Sequence, residues 1–180
     1  GGYSTEVRER GAGLSVGHPH RDITVAEPAT LHGEAVQRSI RHRHPPPGQQ
    51  LGNLDYTAWA RVLDANTLGP MRVTEAFLEN VAESHDKRIV TITSAMGSIA
   101  DNLSGCRYAY RSSKAAVNIV MKSLSIDLAP RGITCVVMHP GWVRTDMGGE
   151  GGTLSPAESV TSVRSAISSL KPEHAGKFLN

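Results

Sequence analysis

Two short apolar runs in the second half of the chain predict buried strands of a parallel sheet. Residues 88–93 and 133–138 are rich in β-branched side chains, which favour strands. The first run ends in small residues at 94–97, and the second ends at a Pro-Gly pair. Each predicted strand therefore presents polar or turn residues at its carboxyl end.

Apolar residues that recur at helical spacing predict helices beside these strands. The first helix is expected at 54–81, after an Asn or Asp cap and with a bend at the Gly-Pro pair 69–70. The second is expected at 108–128, where the Ala-Pro-Arg-Gly segment 129–132 ends it. Both helices carry enough apolar residues to bury one face.

The last part of the chain predicts one more helix and the start of a strand. Ser155 is expected to cap the helix, with Pro156 at its first position and Glu158 completing a capping box. The helix is expected to run to about Leu170. Residues 176–180 predict the beginning of a further strand.

The first fifty residues differ from the rest, because they hold five of the eight histidines and five of the ten prolines without a helix or strand period. The His/Arg run at 41–44 could bind a metal or a phosphate, but a solvated loop is the favoured interpretation. Glycines near 11–17 do not fit a phosphate loop, since such a loop follows a hydrophobic strand and opens a helix. Our hypothesis is a truncated or scrambled half, with a shifted reading frame as one origin.

Composition limits the class of protein. A chain of 180 residues with 39% hydrophobic and 20% charged residues fits one globular domain, and a net charge of +2 makes no demand for nucleic acid. No run of eighteen apolar residues and no signal segment is present, so we expect a cytoplasmic protein without a membrane span. Cys106 and Cys135 lack metal-ligand spacing and are expected to be unpaired, and no metal site is predicted.

Three polar residues suggest proton chemistry. Ser94 follows the first predicted strand, and Tyr110 and Lys114 share one helix face because they are four residues apart. A phenol, with a pKa near about 10, works at neutral pH only if a fixed cation stabilises its anion, so Lys114 is expected to lower the pKa of Tyr110. No side chain can donate hydride, so this chemistry needs a bound nicotinamide.

Three motifs carry a family resemblance. They are TSAMG at 93–97, YRSSKAA at 110–116 and MHPGWVRTDMG at 138–148. With them the chain resembles the short-chain dehydrogenase/reductase family, and most of all its C-factor and sniffer carbonyl-reductase subgroup. The resemblance runs from about residue 51 to residue 180.

The resemblance implies an α/β, Rossmann-type fold with a mostly parallel sheet flanked by helices, whose N-terminal part is incomplete. It implies one domain over 1–180, in which 1–50 is a degenerate or truncated cofactor half and 51–180 is the catalytic half. The glycine motif of the family is missing from the first half, and the last strand of the family is cut short at the carboxyl-terminal end.

The resemblance also implies the roles of four catalytic residues. Tyr110 would be the acid/base, and Lys114 would be its electrostatic partner and a ribose ligand. Ser94 would donate a hydrogen bond to the substrate oxygen. Asn66 matches the helix asparagine that holds a water for proton relay.

Further residues are implied as contacts of the cofactor, which is NADP or NAD, with NADP preferred. Besides Tyr110 and Lys114, the cofactor-binding residues would be Pro140, Gly141 and Val143, whose backbone groups meet the nicotinamide carboxamide. The Thr145 hydroxyl would reach the carboxamide or the pyrophosphate.

Other polar residues near this segment are interpreted as structural. His139 is expected to be a strand-end residue rather than a base, and Arg144 and Asp146 are expected to be surface charges. The glycines within 148–152 fall where the family places a flexible substrate lid.

The implied function is NAD(P)-dependent hydride transfer between nicotinamide and a small-molecule carbonyl or alcohol substrate. Apolar faces on 54–81 and 108–128 imply a homo-oligomer. Two alternatives stay open: a C-factor-like signalling or interaction protein that keeps the fold without turnover, and an inactive fragment. The substrate itself is left open, because its contacts come from the variable lid.

Overall fold

The computed structural model describes residues 49–180. Interpretations of the His/Arg run, of the early glycines and of the first half of the fold lie outside the described residues. The strands are β1 (Gln49–Gln50), β2 (Asn53–Leu54), β3 (Arg88–Ile92), β4 (Thr134–Met138) and β5 (Phe178–Leu179). The helices are α1 (Tyr56–Leu63), α2 (Gly69–Glu83), α3 (Tyr108–Asp127) and α4 (Pro156–Ser168), with shorter turns at Asp64–Leu68, Ala95–Gly97, Ala129–Arg131 and Pro172–His174.

A parallel sheet in the order β3-β4-β5 is the centre of the described part. Ile89 pairs with Cys135, and Val137 pairs with Phe178 on the next strand. Both apolar runs are therefore strands, and the end of the chain adds a third. The predicted α/β architecture with helices against a parallel sheet is confirmed.

Strand β4 and helix α3 supply most of the core. Every residue of β4 is buried, and the buried cluster joins Val117 and Met121 of α3 to Cys135 and Val137 of β4. Part of α2 packs against this cluster through Leu78 and its neighbours. Burying each large aliphatic side chain contributes about 1.5–3 kcal/mol, so this contact fixes the position of α3 on the sheet.

Strand β3 is less buried than the sequence predicted. Its residues are half-buried, and Ile92 is 45% exposed. Within residues 49–180, β3 pairs only with β4 and forms one edge of the sheet. The degree of burial depends on what covers this edge, which an apolar run cannot specify.

The first predicted helix is interrupted one turn earlier than expected. Asp55 caps α1 by accepting a hydrogen bond from the Ala58 amide at 2.9 Å, as predicted. The irregularity is a π-helical turn at Asp64–Leu68, before the Gly-Pro pair, and Pro70 occupies the start of α2. A π turn holds an extra residue and turns side chains away from the regular helical face.

Helix α4 begins as the sequence predicted. The Ser155 hydroxyl accepts a hydrogen bond from the Glu158 amide at 3.2 Å, and the Glu158 carboxylate accepts one from the Ser155 amide at 2.7 Å. The helix ends at Ser168, two residues before the predicted end. Neither Cys106 nor Cys135 forms a disulfide in the described part.

Residues 49–180 contain neither a helix that could span a membrane nor a cluster of metal-ligating side chains. None of the helices there is both long enough and apolar enough to span a membrane. No cluster of three or more histidine, cysteine or acidic residues in the same region could hold a metal ion.

Candidate active site

Ser94 lies where β3 ends and the chain turns. It caps the short helical turn Ala95–Gly97, and its hydroxyl accepts a hydrogen bond from the Met96 amide at 3.2 Å. The residue is buried. The strand end and the turn together hold the hydroxyl at the carboxyl edge of the sheet.

Gly97 allows this turn to lie directly against α3. A Cβ atom on Gly97 would stand 2.8 Å from the Lys114 carbonyl carbon and 3.0 Å from the Ala115 amide nitrogen. Real Cβ atoms almost never approach a backbone atom so closely. The close packing is what brings Ser94 next to the face of α3 that carries Tyr110.

Arg111 fastens the connecting loop to the start of α3. Its guanidinium donates hydrogen bonds to the Met96 carbonyl at 3.4 Å, the Ser104 hydroxyl at 2.9 Å and the Gly105 carbonyl at 3.3 Å. These three hydrogen bonds fix the path of the loop that leads into α3.

Tyr110 and Lys114 lie on the same face of α3, as their spacing predicted. The Lys114 Nζ atom is 5.8 Å from the centroid of the Tyr110 ring. The Ser94 side chain lies near enough to the Tyr110 phenol to lower its pKa. Three residues from two elements therefore lie close together, while their role in proton transfer stays a prediction.

The expected direction of the Tyr110 pKa shift is wrong. Burial raises the pKa of the phenol, and this outweighs the hydrogen bond from Ser94 and the positive charge of Arg107, which both lower it. The Lys114 ammonium donates instead to the Ile92 carbonyl at 3.2 Å, and burial lowers the pKa of Lys114. Lys114 is thus directed at the strand end and over the ring, not at the phenol oxygen.

Asn66 contacts the same helix from the π turn. Its Nδ2 donates to the Ser113 hydroxyl at 3.0 Å, and that hydroxyl donates to the Tyr110 carbonyl at 2.8 Å. The neighbouring Thr67 hydroxyl donates to the Ser113 carbonyl at 3.1 Å. Asn66 is therefore attached to α3 between Tyr110 and Lys114, while its role as a water holder stays a prediction.

A cavity of about 890 Å³ opens at the carboxyl ends of β3 and β4. Six of the eight predicted site residues line it: Ser94, Tyr110, Pro140, Gly141, Val143 and Thr145. The other two, Lys114 and Asn66, lie behind Tyr110 on α3 and on the π turn. The structure therefore brings the predicted residues to one place.

The far wall of the cavity is the loop after β4. Gly141 adopts a φ of 81°, which a side chain would strain, and turns the chain out of the sheet. The Leu154 amide then donates to the Trp142 carbonyl at 3.0 Å, and the Arg144 amide donates to the Leu154 carbonyl at 2.8 Å. These two backbone hydrogen bonds join the ends of the segment 142–154, which is called the ring below.

Inside this ring, Thr145 and Arg144 have structural contacts. The Thr145 hydroxyl accepts a hydrogen bond from the Gly148 amide at 3.1 Å, which leaves its own proton for another acceptor. The Arg144 guanidinium donates to the Gly152 carbonyl at 3.0 Å and lies 3.9 Å from the Glu158 carboxylate. Arg144 is exposed, which agrees with its interpretation as a surface charge.

Sequence reasoning did not select several residues that line the cavity. Met96, Trp142 and Met147 supply apolar surface, and Arg107 supplies a positive charge. Arg107 lies three residues before Tyr110, so helical spacing was a signal that could have found it. The apolar residues carried no signal, because their positions depend on the folding of the loop.

His139 is also part of the lining. Its amide donates to the Leu179 carbonyl at 2.8 Å, and burial lowers the pKa of its imidazole. Its Nδ1 atom is buried without a hydrogen-bond partner in the part of the chain that the structure describes. The residue joins the ends of β4 and β5, which agrees with its interpretation as a strand-end residue.

The sequence of the chain is similar to those of known proteins. A family profile described as short chain dehydrogenase matches residues 46–153. The C-signal protein of Myxococcus xanthus is 47% identical over 130 residues, covering 72% of this chain and 78% of the relative. The 1-hydroxy-2-glutathionyl-2-methyl-3-butene dehydrogenase of Rhodococcus sp. (strain AD45) is 37% identical over 133 residues, covering 72% and 58%.

Comparison with solved structures gives the same assignment of the fold. The carbonyl reductase Sniffer of D. melanogaster has a TM-score of 0.70 at 35% identity and covers 73% of this chain and 57% of its own. The NADPH-bound carbonyl reductase from chicken fatty liver has a TM-score of 0.64 at 33% identity and covers 74% and 58%. The Rossmann-type fold is thereby confirmed, and the chain spans little more than half the length of these two reductases.

Proposed function

The chain belongs to the short-chain dehydrogenase family, and from this premise we propose that it transfers hydride between NADP or NAD and a small carbonyl or alcohol substrate. One observation carries the proposal. Ser94 and Tyr110 line one cavity, the Ser94 hydroxyl is near enough to the phenol to lower its pKa, and Lys114 lies next to Tyr110 on α3. These are the groups that a reaction at a carbonyl oxygen requires.

The cavity fits the nicotinamide half of such a cofactor. Its volume of about 890 Å³ is at the upper end of the usual range for small-molecule sites, about 300–1,000 Å³. Pro140, Gly141 and Val143 line it on a turn that exposes backbone groups, and the Thr145 hydroxyl has a proton to donate. These residues would hold the nicotinamide and its ribose, together with Tyr110 and Lys114. The chicken reductase, solved with NADPH, supports NADP as the preferred form.

Ser94 and Tyr110 would have different roles at the substrate oxygen. When bound, the nicotinamide would supply or accept the hydride. In reduction, Ser94 donates a hydrogen bond to the carbonyl oxygen and Tyr110 gives that oxygen its proton, so one hydride and one proton yield the alcohol. Burial raises the pKa of Tyr110, which keeps the phenol protonated at neutral pH and ready to act as an acid. In oxidation the alcohol oxygen gives its proton to the deprotonated Tyr110 oxygen, while the hydride leaves the carbon.

Lys114 and Asn66 would return a proton to Tyr110 after each turnover. Lys114 is four residues from Tyr110, and its lowered pKa makes proton exchange with water easier than for an exposed lysine. Asn66 is held on the same stretch of α3 through Ser113. A water between Asn66 and Lys114 would complete the path.

The proposal extends to the whole chain and its assembly. Residues 51–180 would be the catalytic half of one domain, and 1–50 a degenerate cofactor half. Exposed apolar side chains on α2 and α3, namely Val73, Phe77, Ile119 and Ile126, support a homo-oligomer formed through these helices. Sedimentation equilibrium of the purified chain tests this, and a monomer would overturn it.

The deciding experiment compares cofactor binding with turnover. The 180-residue protein is titrated with NADPH and NADH while nicotinamide fluorescence is followed, and reduction of a panel of carbonyl compounds is measured for Tyr110→Phe and for the control Tyr108→Phe. We expect saturable binding and a turnover loss on the order of a hundredfold or more for Tyr110→Phe alone. If the folded protein binds neither cofactor, the proposal is contradicted. A signalling or interaction protein without turnover would then be the remaining interpretation.

A further inference from the structure

His139 is fixed at the end of β4, on the side of the sheet that faces α3. Its amide donates to the Leu179 carbonyl at 2.8 Å, and within β4 the side chains of Cys135 and Val137 pack against α3. Because side chains alternate along a strand, the residue two positions after Val137 points to the same side. His139 therefore lines the cavity from the α3 side of the sheet.

The two ring nitrogens of His139 have different surroundings. Nδ1 is buried, and no residue of 49–180 forms a hydrogen bond with it. Nε2 also lacks a hydrogen-bond partner within these residues, but it is not buried, because Nδ1 is the one atom of this ring that combines burial with the lack of a partner there. Since His139 lines the cavity, Nε2 is the ring nitrogen that a bound molecule can reach.

These surroundings select the position of the imidazole proton. A proton on Nδ1 would form a buried N–H group without an acceptor, which folded proteins hardly ever contain. The imidazolium form carries protons on both nitrogens, so it is disfavoured for the same reason, in agreement with the pKa of His139, which burial lowers. The ring is therefore neutral with its proton on Nε2, and it presents an N–H donor to the cavity.

The backbone next to His139 cannot supply such a donor. Proline has no N–H group, and the Pro140 carbonyl already accepts a hydrogen bond from the Ser159 hydroxyl at 2.6 Å. The amide of His139 itself is used by Leu179. The first backbone N–H that the turn after β4 can offer is that of Gly141. At the beginning of this turn, the donor is therefore the His139 side chain.

We propose that the Nε2–H group of His139 donates a hydrogen bond to the carboxamide oxygen of the bound nicotinamide. The inference rests on the proposed function, in which Pro140, Gly141 and Val143 lie against the same carboxamide. His139 exchanges no proton and takes no part in the hydride step, but it orients the ring. A neutral donor suits this place, because the ring of NADP⁺ is positively charged and would be repelled by a cation.

Three substitutions of His139 test which ring nitrogen makes the contact. The amide nitrogen of glutamine reaches about as far along the side chain as Nε2, that of asparagine only as far as Nδ1, and phenylalanine keeps the ring without a donor. We expect His139→Phe to raise the dissociation constant of NADP⁺ about threefold to tenfold, the effect of one neutral hydrogen bond. His139→Gln should bind as the unaltered protein does, and His139→Asn should resemble His139→Phe. Calorimetric titration measures all four proteins.

The matched control is His85→Phe, which removes a histidine that is fully exposed and does not line the cavity. It should leave the dissociation constant unchanged. If His139→Phe binds NADP⁺ as well as this control, or if His139→Asn keeps the affinity that His139→Gln loses, the proposal is overturned.

Two cofactor analogues locate the acceptor atom. The thionicotinamide analogue of NADP⁺ has sulfur, a weak acceptor, in place of the carboxamide oxygen, whereas the 3-acetylpyridine analogue keeps the oxygen and lacks the NH₂ group. The loss of affinity in His139→Phe should persist with the acetylpyridine analogue and nearly vanish with the thionicotinamide analogue. An equal loss for both analogues would overturn the proposal, since the lost contact would not involve the oxygen.

Nitrogen NMR of histidine-labelled protein observes the tautomer directly. We expect the His139 signals, identified by their absence in His139→Gln, to show a proton on Nε2 alone near pH 7, with the Nε2 signal shifted by NADP⁺. A proton on Nδ1, or an Nε2 signal that NADP⁺ leaves in place, would overturn the proposal.

These measurements need no turnover, so they separate this proposal from the proposed function. If NADP⁺ binds but no carbonyl compound is reduced, the proposed function fails, and the affinities of the His139 variants still decide the contact. If turnover is observed and His139→Phe binds NADP⁺ as the unaltered protein does, only the contact is overturned. A folded protein that binds neither NADP⁺ nor its analogues overturns both.

Discussion

The Gly97 α-carbon packs against the backbone of Lys114, so closely that a Cβ atom would stand 2.8 Å from the Lys114 carbonyl carbon. This contact joins the turn after β3 to the helix that carries Tyr110. The distance between Ser94 and Tyr110 thus depends on a residue that has no side chain.

Gly97→Ala should therefore move Ser94, on the turn after β3, away from Tyr110 on α3. The added methyl group must push the turn away from α3, because the opposing atoms are backbone and cannot rotate aside. We expect a loss of about 1–3 kcal/mol in the free energy of unfolding and a larger relative loss of kcat. Urea unfolding and steady-state kinetics measure the two effects.

Gly69→Ala is the control for this substitution. A Cβ at Gly69 would lie 3.6 Å from the Asp64 carbonyl oxygen, an ordinary contact, and alanine favours a helix. Its stability should be unchanged or slightly higher. If Gly97→Ala behaves in the same way as Gly69→Ala, the close packing does not hold Ser94 in place.

Asn66→Ala tests the proposed proton path. Removing the side chain should lower turnover on the order of tenfold, since general acid–base steps depend on proton supply, while the dissociation constant for NADPH changes little. Stopped-flow kinetics and fluorescence titration check this. Ser113→Ala breaks the same hydrogen bond from the other side, so an equal loss in that variant would assign Asn66 to anchoring α3 instead.

The thiol of Cys135 should make the protein less stable in alkaline solution. Burial raises its pKa from 9.0 to about 11, because the thiolate is disfavoured in the core. A raised pKa in the folded state means that the unfolded chain loses its proton first. The free energy of unfolding should then fall as the pH rises from about 9 towards 11.

Denaturant unfolding at several pH values measures this slope for the unaltered protein and for Cys135→Ala. The substitution should flatten the slope, although it lowers stability at every pH by leaving a small cavity. Cys106→Ala removes the other thiol and serves as the control. An unchanged slope in Cys135→Ala would show that other groups cause the alkaline loss.

Met121→Ala should destabilise the contact between α3 and the sheet. Met121 is 1% exposed and its sulfur accepts a hydrogen bond from the Thr91 hydroxyl at 3.2 Å. We expect a loss of about 2–5 kcal/mol, as for other large-to-small core changes. Val160→Ala, at a side chain that is 56% exposed, should stay within about 0.5 kcal/mol. If urea unfolding shows the same loss of stability for Met121→Ala and Val160→Ala, Met121 does not belong to the core.

Local patterns were enough to bring the proposed catalytic residues together. The spacing of four residues put Tyr110 and Lys114 on one side of α3, and the end of an apolar run put Ser94 at the edge of the sheet. These features depend on helix and strand geometry, which the sequence encodes within a few residues.

Properties set by distant contacts were not predicted. The direction of the Tyr110 pKa shift depends on burial by other elements, and the half-buried state of β3 depends on which strands flank it. The π turn that carries Asn66 was mistaken for a bend at the Gly-Pro pair, because no residue type identifies a π turn. Arg107 was missed although it lies only three residues before Tyr110, because it precedes the predicted helix.

The ring formed by residues 142–154 is a wall of the cavity in which insertions and deletions can be accommodated. Its two ends are tied by backbone bonds between Trp142, Arg144 and Leu154, and Glu158 holds Arg144 from α4. Because doubling a flexible loop costs only about 0.6 kcal/mol in closure entropy, insertions among its glycines would hardly disturb the sheet. The shape of the cavity can therefore be changed in this segment, by evolution or by engineering, while Ser94, Tyr110 and Lys114, the proposed proton-transfer residues, stay untouched.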